Sequence, residues 1–191
     1  MKRGKSGFAL PPHRRPTGVA PAASSLPAPL PLAGHPPLRT EGYILLRRPM
    51  ALPEPPVRLP EGVAIVPIEA ADAGAIHALL RRAYATGGGT VPEHLLDWWE
   101  SLLTDSEFDR NLAFVARADA EVIGFCLCWT SSFVKDLVVD PGWRNRGIGS
   151  GLLATAIAAL RARGADELSL KVDIYNGTAQ RLYRAFGFSQ D

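Results

Sequence analysis

Apolar and polar residues alternate in Leu168-Ser-Leu-Lys-Val-Asp-Ile-Tyr175, the period of a strand with one buried face. Upstream, Leu112–Ala116, Val122–Trp129 and Phe133–Val139 read as three strands with short connections, which predicts an antiparallel meander. Val63–Ile68 reads as a further strand, and Tyr43–Leu46 as a short edge strand. The helical period appears in between: Ile76, Leu79, Leu80, Ala83 and Tyr84 share a face, with Asp72 placed to cap it. After Gly87-Gly-Gly, Thr90-Val-Pro-Glu93 has the capping-box pattern of a second helix, whose buried face is expected to hold Leu95, Leu96, Trp98 or Trp99, Leu102 and Leu103. A long helix is predicted from Ile148 to Arg163, with Leu152, Leu153, Ala156, Ile157 and Leu160 as its apolar stripe and Gly164 as its stop. A short final helix is closed by Gly187.

One stretch interrupts this periodicity. Asp140-Pro-Gly-Trp-Arg-Asn-Arg-Gly-Ile-Gly-Ser-Gly-Leu-Leu153 joins a strand to the long helix, with Gly147, Gly149 and Gly151 alternating beside Arg144 and Arg146. Glycines allow close approach of backbone N–H groups, and a helix start carries unpaired donors and a positive dipole end, so the element suits a phosphate or pyrophosphate. No lysine follows the glycines, which excludes the nucleoside-triphosphate loop, and Leu152 occupies the third glycine position of the dinucleotide fingerprint.

What does fit is Arg144-x-x-Gly147-x-Gly149 after the strand Phe133–Val139 and the turn Asp140-Pro141-Gly142. It resembles the acetyl-CoA loop of the GNAT superfamily of N-acetyltransferases. Asn176-Gly-Thr-Ala-Gln-Arg-Leu-Tyr183-Arg-Ala-Phe-Gly187-Phe188 is similar to that family's second signature, Asn-x-x-Ala-x-x-Leu-Tyr-x-x-x-Gly-Phe. Two motifs in family order are far more specific than one glycine run. The resemblance extends over about Val63 to Phe188. It implies an α+β GNAT fold: a mixed, mostly antiparallel sheet flanked by helices, parallel only where two strands flank the long helix and splay to admit the pantetheine arm.

By resemblance, the co-substrate is acetyl-CoA. Its pyrophosphate is expected on the backbone of Asn145, Arg146, Gly147, Ile148, Gly149 and Ser150, with the side chains of Arg144 and Arg146 meeting phosphate charge, and Asn176 near the pantetheine. Main-chain N–H groups of Leu137, Val138 and Val139 would polarise the acetyl carbonyl. Tyr183 matches the family tyrosine that protonates the departing thiolate. A base is also required, and Asp136 is the leading candidate, with Glu93, His94 and Asp97 as alternatives. The implied activity is direct, ternary-complex acetyl transfer to a primary amine, small-molecule or peptide. The alternative is a catalytically silent acyl-CoA-binding or interaction module. No metal site is expected.

Charge and proline divide the 191 residues unevenly. Fourteen of the 17 prolines lie in residues 1–60, and the net charge of +2 comes from a basic start on a mildly acidic remainder. Residues 1–40 are expected to be a disordered Pro/Ala/Arg-rich tail, residues 41–62 a short strand and proline-rich linker, and residues 63–191 the acetyltransferase domain. Prolines break every apolar run of the tail, so a secretory signal is not expected, whereas a transit peptide and a start site upstream of the true one, with Met50 as an alternative, both fit. Sparse basic residues with almost no aromatics disfavour nucleic acid, and no run reaches the ~18 apolar residues of a membrane span. Cys126 and Cys128 read as buried thiols in a reducing cytoplasm. Family members continue beyond Gly-Phe into further strands; their absence before Asp191 predicts an open edge beside Leu168–Tyr175, a surface that would favour a homodimer.

Overall fold

The computed structural model describes residues 42–85 and 89–190. The alternating segments become six strands: β1 (Tyr43–Pro49), β2 (Val63–Pro67), β3 (Phe108–Ala118), β4 (Glu121–Trp129), β5 (Phe133–Val139) and β6 (Glu167–Asp173). The helices are α1 (Ala73–Tyr84), α2 (Leu95–Thr104), α3 (Ile148–Ala162) and α4 (Gly177–Ala185). The strands form one sheet in the order β1-β6-β5-β4-β3-β2, antiparallel throughout except between β5 and β6. This is the α+β GNAT architecture. The predicted residues 1–40 tail lies outside the described residues.

Two apolar layers sandwich the sheet. On one face α1 and α2 bring Ile76, Leu79, Leu80, Trp98 and Leu102 against Val115, Phe125, Leu127 and Val138. On the other face α3 and α4 bring Leu152, Leu153, Ile157 and Tyr183 against Phe114, Cys126, Cys128 and Leu170. Both cysteines are buried free thiols. Among the described residues no helix is long and apolar enough to cross a membrane.

The expected open edge beside β6 is closed. β1 pairs antiparallel with β6 from Tyr43↔Asp173 to Pro49↔Glu167, and on its other side Arg47 exchanges backbone hydrogen bonds of 2.8 and 2.9 Å with Ser189. The segment read as an edge strand is indeed the edge of this sheet, with only the isolated bridge to Ser189 on its outer side among the described residues, and it pairs directly with β6 of the acetyltransferase domain. Arg48 fastens it. Its guanidinium is completely buried and donates to the carbonyls of Phe186 (2.6 Å), Pro49 (3.1 Å), Leu52 (2.6 Å) and Pro53 (3.2 Å), with Glu54 at 3.5 Å. Burial holds the guanidinium below its ordinary pKa, and Glu54 opposes that shift.

Three local expectations are corrected. Asp72 does not cap α1 with its side chain; its carboxylate accepts from the Glu69 N–H at 2.9 Å and pairs with Arg117 of β3. Thr90–Glu93 stays outside α2, because its carbonyls serve α1: Pro92 O bonds His77 Nε2 at 2.9 Å and Glu93 O accepts from Arg81 at 2.7 Å. The helix starts later than the capping pattern implied, and its buried stripe is Trp98 and Leu102, leaving Leu96 and Leu103 exposed.

Replacing Arg48 with Met orphans several buried carbonyls, while Glu54 keeps its ion pair with Arg161. Urea unfolding should show a loss on the order of 3 kcal/mol. A loss under about 0.5 kcal/mol, the scale of an ordinary surface substitution, would mean that Arg48 does not anchor β1.

Candidate active site

The site begins with a misfit in β5. Leu127 pairs with Asp136 but Cys128 pairs with Val134, so Lys135 is an extra residue bulging from the strand. Beyond it β5 leaves β6: parallel pairing covers only Phe133↔Ser169 and Val134↔Leu170. From Lys135 to Val139 the two strands border a gap. The Asp140 N–H donates to Ile123 O on the β4 side at 2.8 Å. Amide direction alternates along a strand, so Val138 also turns its N–H toward β4, while Leu137 and Val139 direct theirs into the gap.

At one end of the gap lies the glycine turn. The Asp140 carboxylate accepts from the Gly142 N–H at 3.0 Å and from Arg82 of α1 at 3.0 Å, which ties the turn to the first helix. Asn145 (φ 59°) and Gly147 (φ 84°) are both left-handed, and Gly147 is the N-cap of α3 with no side-chain cap. The first helical hydrogen bond is Gly151 N–H to Gly147 O at 2.9 Å. The N–H groups of Ile148, Gly149 and Ser150 precede it and have no partner within the helix. Three donors at the positive end of a 15-residue helix form a cradle of a kind suited to an anion.

The arginines beside it differ in their engagements. Arg144 is exposed and its Nε donates to Val139 O at 3.2 Å, whereas the Arg146 guanidinium lies 5.0 Å over the Trp143 ring. Gly149 lies between Val139 of β5 and Leu182 of α4 with room for a Cβ. Gly151 serves packing, since a Cβ there would approach Leu59 and Ile65 at 2.7 and 2.8 Å.

The other wall is α4. Asn176 caps it, accepting from the Ala179 N–H at 3.0 Å. At its C-terminus Gly187 (φ 82°) closes a Schellman turn, with Phe188 N–H to Tyr183 O and Gly187 N–H to Arg184 O both at 3.0 Å. That turn sets Phe188 edge-on to the Tyr183 ring, 5.7 Å between centroids. Tyr183 is buried, and burial, then Cys126, Cys128 and Asp136, pushes its hydroxyl above the ordinary tyrosine range. It therefore stays protonated at neutral pH.

Asp136 is buried on the opposite face, paired across the sheet with Leu127 on the α1 and α2 side. Its Oδ1 accepts from Tyr84 at 2.5 Å, and Oδ2 lies 3.9 Å from Lys135 Nζ. The other base candidates, Glu93, His94 and Asp97, are exposed at the start of α2. Tyr84 is the residue that the sequence reading missed: its spacing put it on the apolar stripe of α1, and its place as the helix's last residue, beside a glycine-rich break, was the available signal. It also lines a cavity of about 250 Å³ with Arg81, Ala85, Gly89, Thr90 and Val91. A larger recess of about 740 Å³, lined by Met50, Leu52, Arg161 and Asp166, lies at the far end of α3 from the glycine turn.

Gly147 combines a left-handed backbone with a direct obstruction, because a Cβ there would fall on the Arg58 carbonyl oxygen. Gly147→Ala should cost roughly 1–3 kcal/mol in urea unfolding. A stability unchanged from wild type would show that the turn relaxes freely.

Residues 74–188 match the acetyltransferase (GNAT) family. Over 189 residues the chain is 33% identical to the mycothiol acetyltransferase of Thermobispora bispora, covering 91% of this chain and 60% of that protein. Over 100 residues it is 32% identical to the [ribosomal protein bS18]-alanine N-acetyltransferase of Haemophilus ducreyi, covering 51% of this chain and 69% of the relative. The GCN5-related N-acetyltransferase from Sphaerobacter thermophilus superimposes with a TM-score of 0.65 at 25% identity, over 78% of this chain and 48% of that one. The chain thus spans about three fifths of the mycothiol acetyltransferase and half of the Sphaerobacter protein. With the splayed strands, the glycine cradle and a profile match over more than half its length, the chain belongs to the GNAT acetyltransferase family.

Proposed function

We propose that the chain transfers an acetyl group from acetyl-CoA directly to a primary amine in a ternary complex. The observation that carries this reading is the parting of β5 from β6 beside the free N–H groups that start α3. Two buried acid–base groups, Tyr183 and Asp136, lie on opposite faces of this sheet, with the Asp136 charge among the causes that raise the Tyr183 pKa. The backbone N–H groups from Asn145 to Ser150 would hold the pyrophosphate, and Arg144 and Arg146 would add positive charge. The pantetheine would then occupy the gap, passing Asn176. The N–H groups of Leu137 and Val139 would donate to the thioester oxygen as negative charge develops there, an interaction contributing several kcal/mol in a site that excludes water.

The reaction then needs two proton movements. An alkylammonium of pKa ~10.4 loses its proton to Asp136, and the freed lone pair attacks the acetyl carbon. Collapse of the tetrahedral adduct breaks the C–S bond. Tyr183 donates its proton to the departing thiolate, yielding the amide and CoA. A small-molecule acceptor and a peptide or protein terminus both fit this chemistry, as the names of the two relatives illustrate, one a mycothiol acetyltransferase and the other a ribosomal protein alanine N-acetyltransferase. The unpaired thiols of the core support a reducing, cytoplasmic setting.

Purified protein incubated with acetyl-CoA and an amine panel should release free thiol only when amine is present. Tyr183→Phe should lower kcat roughly a hundredfold while the Kd for acetyl-CoA is unchanged. Because the Tyr183 pKa is raised, its proton is retained to higher pH, and kcat should show no basic limb from this residue below about pH 10. Saturable binding without turnover with any amine would instead favour a silent acyl-CoA module.

A further inference from the structure

The two oxygens of Asp136 are not equivalent. Oδ1 accepts the Tyr84 hydroxyl at 2.5 Å, whereas the charged neighbour of Oδ2 is Lys135 Nζ at 3.9 Å, too long for a hydrogen bond. Tyr84 is itself held from behind. Gly89 lies against its ring, and a Cβ added at Gly89 would sit 2.9 Å from both Cε2 and Cζ. The ring is thus wedged between a backbone that tolerates no side chain and the carboxylate it serves. Its hydroxyl is kept protonated, first by burial and then by the Asp136 charge, so toward that carboxylate it acts as a donor. The same ring walls the cavity of about 250 Å³ shared with Arg81, Thr90 and Val91.

Building on the acetyl-transfer reading, in which Asp136 takes the amine's proton, we infer that Tyr84 is the positioning residue for that step. By occupying Oδ1 it leaves Oδ2 to receive the ammonium proton, and by lining the adjacent cavity it fixes the side from which the acceptor approaches. Gly89 is part of the same device, because its missing side chain is what lets the ring reach Asp136. The Tyr84 hydroxyl is bonded to Asp136 rather than to the glycine turn, so its role runs through the carboxylate and the cavity beside it.

The test is a double-mutant cycle read as kcat/KM for the best amine of the panel, with acetyl-CoA affinity measured in parallel. Tyr84→Phe keeps the ring and should lower kcat/KM roughly tenfold, with the Kd for acetyl-CoA unchanged. In the Asp136→Asn background the same substitution should change kcat/KM by less than about twofold, because its partner is gone. Gly89→Ala displaces the ring but keeps the hydroxyl; it should reproduce the loss of Tyr84→Phe and add nothing to it, which decides the matter even if Asp136→Asn is too slow to measure. Equal losses in both Asp136 backgrounds, additive losses for Gly89→Ala and Tyr84→Phe, or no loss for Tyr84→Phe would each overturn the inference. A wild-type protein that binds acetyl-CoA but turns over no amine would overturn the acetyl-transfer reading itself, and is seen before any variant is made.

Discussion

The parting of β5 from β6 after two paired residues is the constraint on which the rest of the structure depends. A strand that abandons its neighbour exposes a row of backbone donors and acceptors, which is costly in a buried setting. Here the Lys135 bulge turns β5 away while β4 continues to hold its other side through Gly124↔Val139. β6 would be left with little support, and the seven paired positions of β1 supply it. The gap thus has two walls, each secured from behind, and Arg48 secures the outermost by burying its charge among the carbonyls that follow β1 and α4.

The glycine turn and α4 then close the two remaining sides. Left-handed Asn145 and Gly147 reverse the chain so that α3 begins with its free N–H groups at the end of the gap. The Schellman turn at Gly187 ends α4 where Tyr183 and Phe188 can pack together. These are small backbone devices, each stabilising the fold by a kcal/mol or so. The two core layers they help to hold bury a protonated hydroxyl, Tyr183, on one face of the sheet and a carboxylate, Asp136, on the other.

Legibility in the sequence followed the range of each interaction. The meander, the long helix and the glycine turn depend on neighbours a few residues away, and alternation or helical spacing reveals them. The place of β1 does not: its partner β6 lies some 120 residues later, and a short apolar run carries no mark of which edge it will cover. Arg48 looked like any basic residue, because nothing local indicates that its acceptors are carbonyls at Leu52, Pro53 and Phe186. The Thr90–Glu93 pattern misled for the same reason, since its carbonyls are claimed by His77 and Arg81. Within the site, Tyr183 and the cradle were visible as motifs, whereas Tyr84 was hidden in an apolar stripe until the fold set its hydroxyl on Asp136.

The account rests on the β5–β6 gap and the start of α3 forming one continuous cofactor site. Titrating 15N-labelled protein with acetyl-CoA and following backbone amide shifts tests this most directly. The amides of Leu137, Val139 and Asn145 through Ser150 should move together along one saturation curve, while those around the recess at the far end of α3, such as Leu52 and Asp166, stay still. Saturable shifts centred on that recess, with the gap and glycine turn unmoved, would contradict it.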